Sequence, residues 1–70
     1  MATKIKSVFY DRANKTIYTI YKRIDDGLLS IEIYNYVSKS LNVLRRHRKH
    51  EEYNYYLDIF YKGLNSKKTK

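Results

Sequence analysis

Seventy residues, 15 of them Lys or Arg against 7 Asp or Glu, carry a formal net charge of +8 with no cysteine or proline. That length allows one domain and a thin core, since a chain this small buries only about 60% of its unfolded surface. The absence of cysteine excludes disulfides, thiolate zinc sites and cysteine nucleophiles together, and no apolar run approaches the roughly 20 residues that cross a bilayer.

A positive balance of this size points to a polyanionic partner such as nucleic acid or an acidic protein surface. Lys, Asn, Ile and Tyr share AT-rich codons, so base composition accounts for some of the lysine. It does not account for the arginines, three of which stand at 45, 46 and 48. The start, Met1 to Tyr10, has lysines but neither the apolar stretch nor the small-residue cleavage site of a signal peptide. A cytoplasmic protein without membrane association is expected.

The first predicted element is a β-hairpin. Ser-Val-Phe-Tyr and Thr-Ile-Tyr-Thr-Ile-Tyr are rich in β-branched and aromatic residues and flank Asp11-Arg-Ala-Asn-Lys15, whose Asp and Asn favour turns. Strands over 4–10 and 16–24 follow.

Charge then alternates in blocks. Asp25, Asp26 and Glu32 form an acidic stretch, and Lys39, Arg45, Arg46, Arg48 and Lys49 a basic one. Glu51, Glu52 and Asp58 are acidic again, and lysines end the chain. Helices prefer acids in the first turn and bases in the last, so the blocks predict helices over about 27–47 and 50–64, with Gly63 and Asn65 as stop signals. Ile33, Tyr34, Val37, Leu41 and Leu44 make one apolar stripe, and Tyr53, Tyr56, Leu57, Phe60 and Leu64 another. The stripes differ in direction by about 120° on one continuous helix, which predicts a break near 47–51 and an antiparallel helical hairpin packed on the β-hairpin. The expected fold class is therefore α+β, a β-hairpin followed by two helices, over residues 1–65, with 66–70 a disordered basic tail. An alternative stands beside it. Leu29, Ile31, Ile33 and Val37 alternate and Asp25-Asp26-Gly27 makes a fair hairpin loop, which gives a three-stranded antiparallel sheet plus a C-terminal helix.

Chemistry has few candidates. His47, His50 and Glu51 have spacing that could hold zinc on a helix, but the surrounding bases repel a dication, so no metal site is expected. With only two glycines there is no phosphate loop, and so short a chain hardly builds a catalytic cleft. Neither enzyme activity nor a cofactor is expected.

The basic run is the strongest signal. Lys39, Arg45, Arg46, Arg48 and Lys49, placed on a helix, could meet phosphates along a nucleic-acid backbone, and arginine can fork onto guanine. A solvated helix end is the bland reading of the same run. A helix-turn-helix pattern over 29–47 is a weak match: Ile33, Val37 and Leu44 have plausible core spacing, but Tyr34 stands where a small residue is needed and no glycine marks the turn. Nine tyrosines exceed what such a core can bury, and exposed tyrosines suit interfaces and unpaired bases. The expected function is a small nucleic-acid-binding regulator or accessory protein, homodimeric, with DNA preferred over RNA because an arginine-bearing helix suits the major groove. The alternative is an inhibitor or adaptor that docks a basic, tyrosine-rich face on an acidic partner protein.

Overall fold

Two strands form where the hairpin is expected. β1 (Lys4–Asp11) and β2 (Thr16–Arg23) pair antiparallel with Ser7 opposite Ile20. The computed structural model describes residues 4–68, with side chains described through Asn65. Two further strands, β3 (Leu29–Asn35) and β4 (Ser40–Arg46), continue a meander in the order β1-β2-β3-β4. One helix, α1 (Tyr53–Lys68), follows. The chain is α+β, and the alternative of a three-stranded sheet with a C-terminal helix fits it better in part than the helical hairpin, the sheet having four strands instead of three.

The helix expected over 27–47 is absent, and β3 and β4 occupy its place. Two causes favour strands. Leu29 and Ile31 alternate with Ser30 and Glu32, and both apolar side chains are fully buried, so a period of two satisfies this segment. The acids that looked like a helix start serve a turn instead: Asp26 Oδ1 accepts the Leu28 N–H at 3.0 Å, and Gly27 takes a φ of 77°. A lone hairpin is marginal in water, and added strands with one apolar face stabilise it. The stripe residues scatter accordingly. Val37 is in the β3–β4 turn and 65% exposed, Leu41 is 56% exposed on β4, and Tyr34 is half-buried on the side away from the helix.

Two turns at one end of the sheet share a design. In each, four residues connect the strands and a lysine closes the loop with left-handed backbone: Lys15 at φ 56° and Lys39 at φ 60°. An Asx side chain opens each. Asp11 Oδ2 accepts from Asn14 Nδ2 at 2.9 Å, and Asn35 Oδ1 accepts the N–H groups of Val37 and Ser38 at 3.0 and 2.9 Å.

α1 lies across β1, β2 and β3, closest to β1, and leaves β4 at the margin. Tyr53, Tyr56, Phe60 and Gly63 recur at steps of three and four, so they share one buried face. The core joins Ile20, Leu29 and Ile31 of the sheet to Tyr53, Tyr56, Ile59 and Phe60 of the helix, with Phe9, Tyr18, Ile33 and Leu44 packed around it. Gly63 does not stop the helix. A Cβ there would collide with Ser7 Oγ and stand 2.9 Å from the Val8 carbonyl oxygen, so glycine is what lets α1 approach β1. One turn earlier the buried Ser7 hydroxyl donates to the Phe60 carbonyl at 2.6 Å. The backbone of α1 passes three residues into the expected tail, and 69–70 lie outside the described residues. Among the described residues, no helix is long and apolar enough to cross a membrane.

Phe60 is 1% exposed, so Phe60→Ala is expected to cost about 3–5 kcal/mol. Gly63→Ala is also expected to destabilise, although on an open helix the same change gains about 1 kcal/mol. Denaturant melts of both variants check this. A Gly63→Ala protein as stable as the parent contradicts the close approach.

Candidate nucleic-acid interface

Strand register sorts side chains between two faces. Toward α1 point the rows Ser7–Ile20–Ile31–Leu44 and Phe9–Tyr18–Ile33–Asn42. Away from it point Tyr10–Ile17–Tyr34–Leu41, Val8–Thr19–Glu32–Val43 and Lys6–Tyr21–Ser30–Arg45. No described element covers this second face, which we call the open face. Its central row, Val8–Thr19–Glu32–Val43, carries the single acid, the tyrosines stand in the rows on either side, and its strand-borne cations gather at the end where β1 begins and β4 finishes.

The five candidate residues do not form one cluster, because the helix expected to present them is missing. Arg45 lies on the open face. Its neighbour Arg46 points the other way, with Nε donating to Glu52 Oε1 at 3.0 Å and Nη1 to the Arg45 carbonyl at 2.8 Å. Arg48, in the loop before α1, donates from Nε to the Asp26 carbonyl at 2.9 Å and so braces the β2–β3 turn. Lys49 is exposed in that loop. Lys39 is in the β3–β4 turn, six residues from Arg45 along β4, which at 3.3 Å per residue is about 20 Å. The premise for preferring duplex DNA, an arginine-bearing helix, goes with the helix. α1 instead exposes Asn54, Tyr55 and a charge-balanced pair in which Lys62 Nζ is 3.4 Å from Asp58 Oδ2.

Tertiary structure gives Arg45 new neighbours. A cleft of about 230 Å³ at the basic end of the open face is lined by Lys4, Tyr21, Arg23, Leu28, Ser30 and Arg45. All four strands and a turn contribute to it, and none of its lining residues is acidic. Lys4 Nζ stands 5.6 Å from the centre of the Tyr21 ring, within cation–π range. Lys6 is the cross-strand partner of Tyr21, which adds a further ammonium to the rim. Arg23 is tied down by Asp26, with Nε 3.0 Å from Oδ1 and Nη2 2.8 Å from Oδ2. Hydrogen bonding to Asp26 raises the Arg23 pKa. The Arg23 fork, joined by the Leu28 N–H, holds the Asp26 carboxyl well below the usual carboxylate range. Chemically, this end offers forked and point cations beside an aromatic ring, a set suited to phosphate and base together.

Lys4, Lys6, Tyr21, Arg23 and Ser30 were not among the candidates. Pairing the expected hairpin residue by residue would have placed Lys4 beside Arg23 and Lys6 beside Tyr21. Ser30 and Arg45 needed β3 and β4.

The back of the molecule holds different groups. A second cleft, about 340 Å³, is lined by Lys22, Ile24, Gly27, Arg48, Tyr53 and Leu57. Its polar groups are mostly engaged, with Lys22 Nζ donating to Tyr61 Oη at 3.2 Å and Tyr53 Oη to the Gly27 carbonyl at 2.6 Å. His50 Nδ1 accepts the Glu52 N–H at 3.0 Å. Burial pushes the Tyr18 and Tyr56 phenols up.

The Arg23–Asp26 pair makes a test in acid. Its depressed pKa means that Asp26 contributes stability above the unfolded carboxylate pKa, and this is lost as pH falls through the folded value. Carboxyl carbon shifts measured by NMR should show Asp26 still ionised below the usual carboxylate range. Arg23→Ala should return its titration toward the ordinary range. An Asp26 that titrates normally in the parent protein contradicts the fork.

Compared with protein-family models, with curated proteins and with solved structures, the chain finds no match.

Proposed function

We propose that the protein is a small nucleic-acid-binding protein of regulatory or accessory type, which holds phosphates at the basic end of its open sheet face. One observation carries the reading: Lys4, Arg23 and Arg45, brought from three strands, line a single cleft beside Tyr21 with no acid among them. Groups on strands are held more rigidly than groups on loops, so this is a preformed surface. The reading describes a binder, not a catalyst.

The alternative of an inhibitor or adaptor keeps one supporting observation. Val43, Leu41 and Tyr10 are 59, 56 and 62% exposed on the same face, and such apolar exposure also suits an acidic partner protein.

Salt dependence separates the two readings. Nucleic-acid binding should weaken with salt, with a slope near −0.9 per phosphate on duplex or −0.7 on single strands. Replacing Lys4, Lys6 and Arg45 together by alanine should shrink that slope by about two to three units, while Lys49→Ala with Lys62→Ala should leave it unchanged. Absence of binding at low salt hands the open face to the protein-partner reading.

A homodimer belongs to the same proposal, and β4 is the strand that would build it. It is an edge strand, exposed over most of its length, and such edges are templates for a further strand. Antiparallel pairing of two copies about Val43 sets Val43 against its twin, Arg45 against Leu41 and Arg46 against Ser40, so no arginines oppose each other. The two open faces then become one surface. Sedimentation at micromolar concentration should give twice 8.5 kDa, and Val43→Lys, which puts like charges at the axis, should give the monomer. A parent protein that sediments as 8.5 kDa refutes the pairing.

A further inference from the structure

We infer that the open face is a stacking platform for single-stranded nucleic acid, with the tyrosines taking bases and the cations at the sheet ends taking phosphates. The inference rests on the nucleic-acid reading above and names the form of nucleic acid recognised.

Width is the first argument. Four strands at about 4.8 Å spacing place the outer two roughly 14 Å apart. The duplex major groove is about 12 Å wide and admits a helix or a two-stranded ribbon. The one helix of the described residues has its apolar side committed to the core, and on its outer side Lys62 is paired with Asp58. Among the described side chains, neither element therefore offers a basic probe of groove dimensions.

Aromatic placement is the second. Tyr10 and Tyr34 share a row two strands apart, about 10 Å, and Tyr21 is on the strand between them, beside the cationic cleft. Tyr10 is 62% exposed. Bases of a duplex are stacked on one another and present only their edges, whereas an unpaired strand can offer each tyrosine a π-face.

Charge distribution is the third. Cations lie at the two ends of the sheet, Lys4, Lys6 and Arg45 at one and Lys15 and Lys39 in the turns at the other. Between them the face carries Glu32, half-buried in the row Val8–Thr19–Glu32–Val43. A carboxylate there repels phosphate but accepts hydrogen bonds from base N–H groups, the ring N3–H of thymine and uracil included. Tyr21 shares the row of Lys6 and Arg45, and Tyr10 and Tyr34 stand in the row beside the turns of Lys15 and Lys39, so bases on the tyrosines leave the phosphates near cations and away from Glu32.

The test measures fluorescence anisotropy with labelled oligothymidylate and oligouridylate of about 12 nucleotides and a labelled duplex of the same length, on the full chain. Either single strand should bind at least about tenfold more tightly than the duplex, and the thymidylate and uridylate arms tell DNA from RNA. Tyr10→Ala and Tyr34→Leu should each weaken single-strand binding by about fivefold or more, as loss of one base stack does. Tyr10→Phe and Tyr34→Phe, which keep the ring, should bind like the parent. Circular dichroism on each variant separates loss of stacking from loss of fold, and the well-exposed Tyr10 makes its variant the decisive one. Equal or tighter binding to duplex overturns this inference and leaves the nucleic-acid reading standing. Single-strand binding that ignores Tyr10→Ala overturns the platform. Absence of binding to all three probes overturns both readings.

Discussion

Everything about this molecule follows from how closely one helix can lie on one sheet. At Gly63 the helix backbone comes so near β1 that no side chain fits between them, and the Ser7 hydroxyl fills the remaining space by donating to the Phe60 carbonyl. A serine and a glycine are unusual contents for the centre of a small core. They serve because the apolar bulk is supplied beside them, by Phe60, Ile20 and Ile31, all at most 1% exposed. The buried hydroxyl is satisfied, as burial of a polar group requires.

That approach makes the sheet two-faced. A single helix can cover only one side of four strands, and it covers β1 to β3 better than β4. The uncovered side therefore keeps a broad surface on which tyrosines and aliphatic residues flank Glu32, with cations toward the ends of the sheet. A 70-residue chain lacks the mass to hide such a face, so the face has either a partner or a solubility cost. The concentration of lysines and arginines at its ends fits a partner that carries negative charge. The same economy explains the turns. The β2–β3 turn is held from two directions, by the Arg23–Asp26 fork within it and by Arg48 of the loop before α1 and Tyr53 at its first residue reaching over. Arginines that looked like a binding cluster are thus partly structural, joining the end of the sheet to the start of the helix.

Some of this was written in local sequence and some was not. The first hairpin and the C-terminal helix were legible because both have strong local signals: β-branched strands around Asp11 and Asn14, and a tyrosine-rich stripe from Tyr53 to Phe60. Residues 27–47 were misread as helix because apolar spacing at 33, 37, 41 and 44 and acid-to-base polarity both suit a helix. Those features arose from other causes, the acids from a turn and the bases from a strand end. A local signal did exist. Asn35-Tyr-Val-Ser-Lys39-Ser repeats the pattern of Asp11-Arg-Ala-Asn-Lys15-Thr, an Asx residue, a short loop and a left-handed lysine before the next strand. Set beside the first turn, the second would have divided the supposed helix at its middle.

What the sequence by itself determined is the charge, the excess of tyrosine, the lack of thiol chemistry, the hairpin and the amphipathic final helix. These depend on composition or on neighbours within a few positions, where spacing and propensity act directly. Which cations stand together was decided only by tertiary structure. Adjacent residues on a strand face opposite ways, so Arg45 and Arg46 part company, one onto the open face and the other to Glu52. Lys4 and Arg45, forty-one positions apart, meet across a sheet whose register is set by burying Ile20, Leu29 and Ile31 beneath the helix. A surface built from cross-strand rows is not contiguous in the chain, and only the packing that fixes the rows brings it into being.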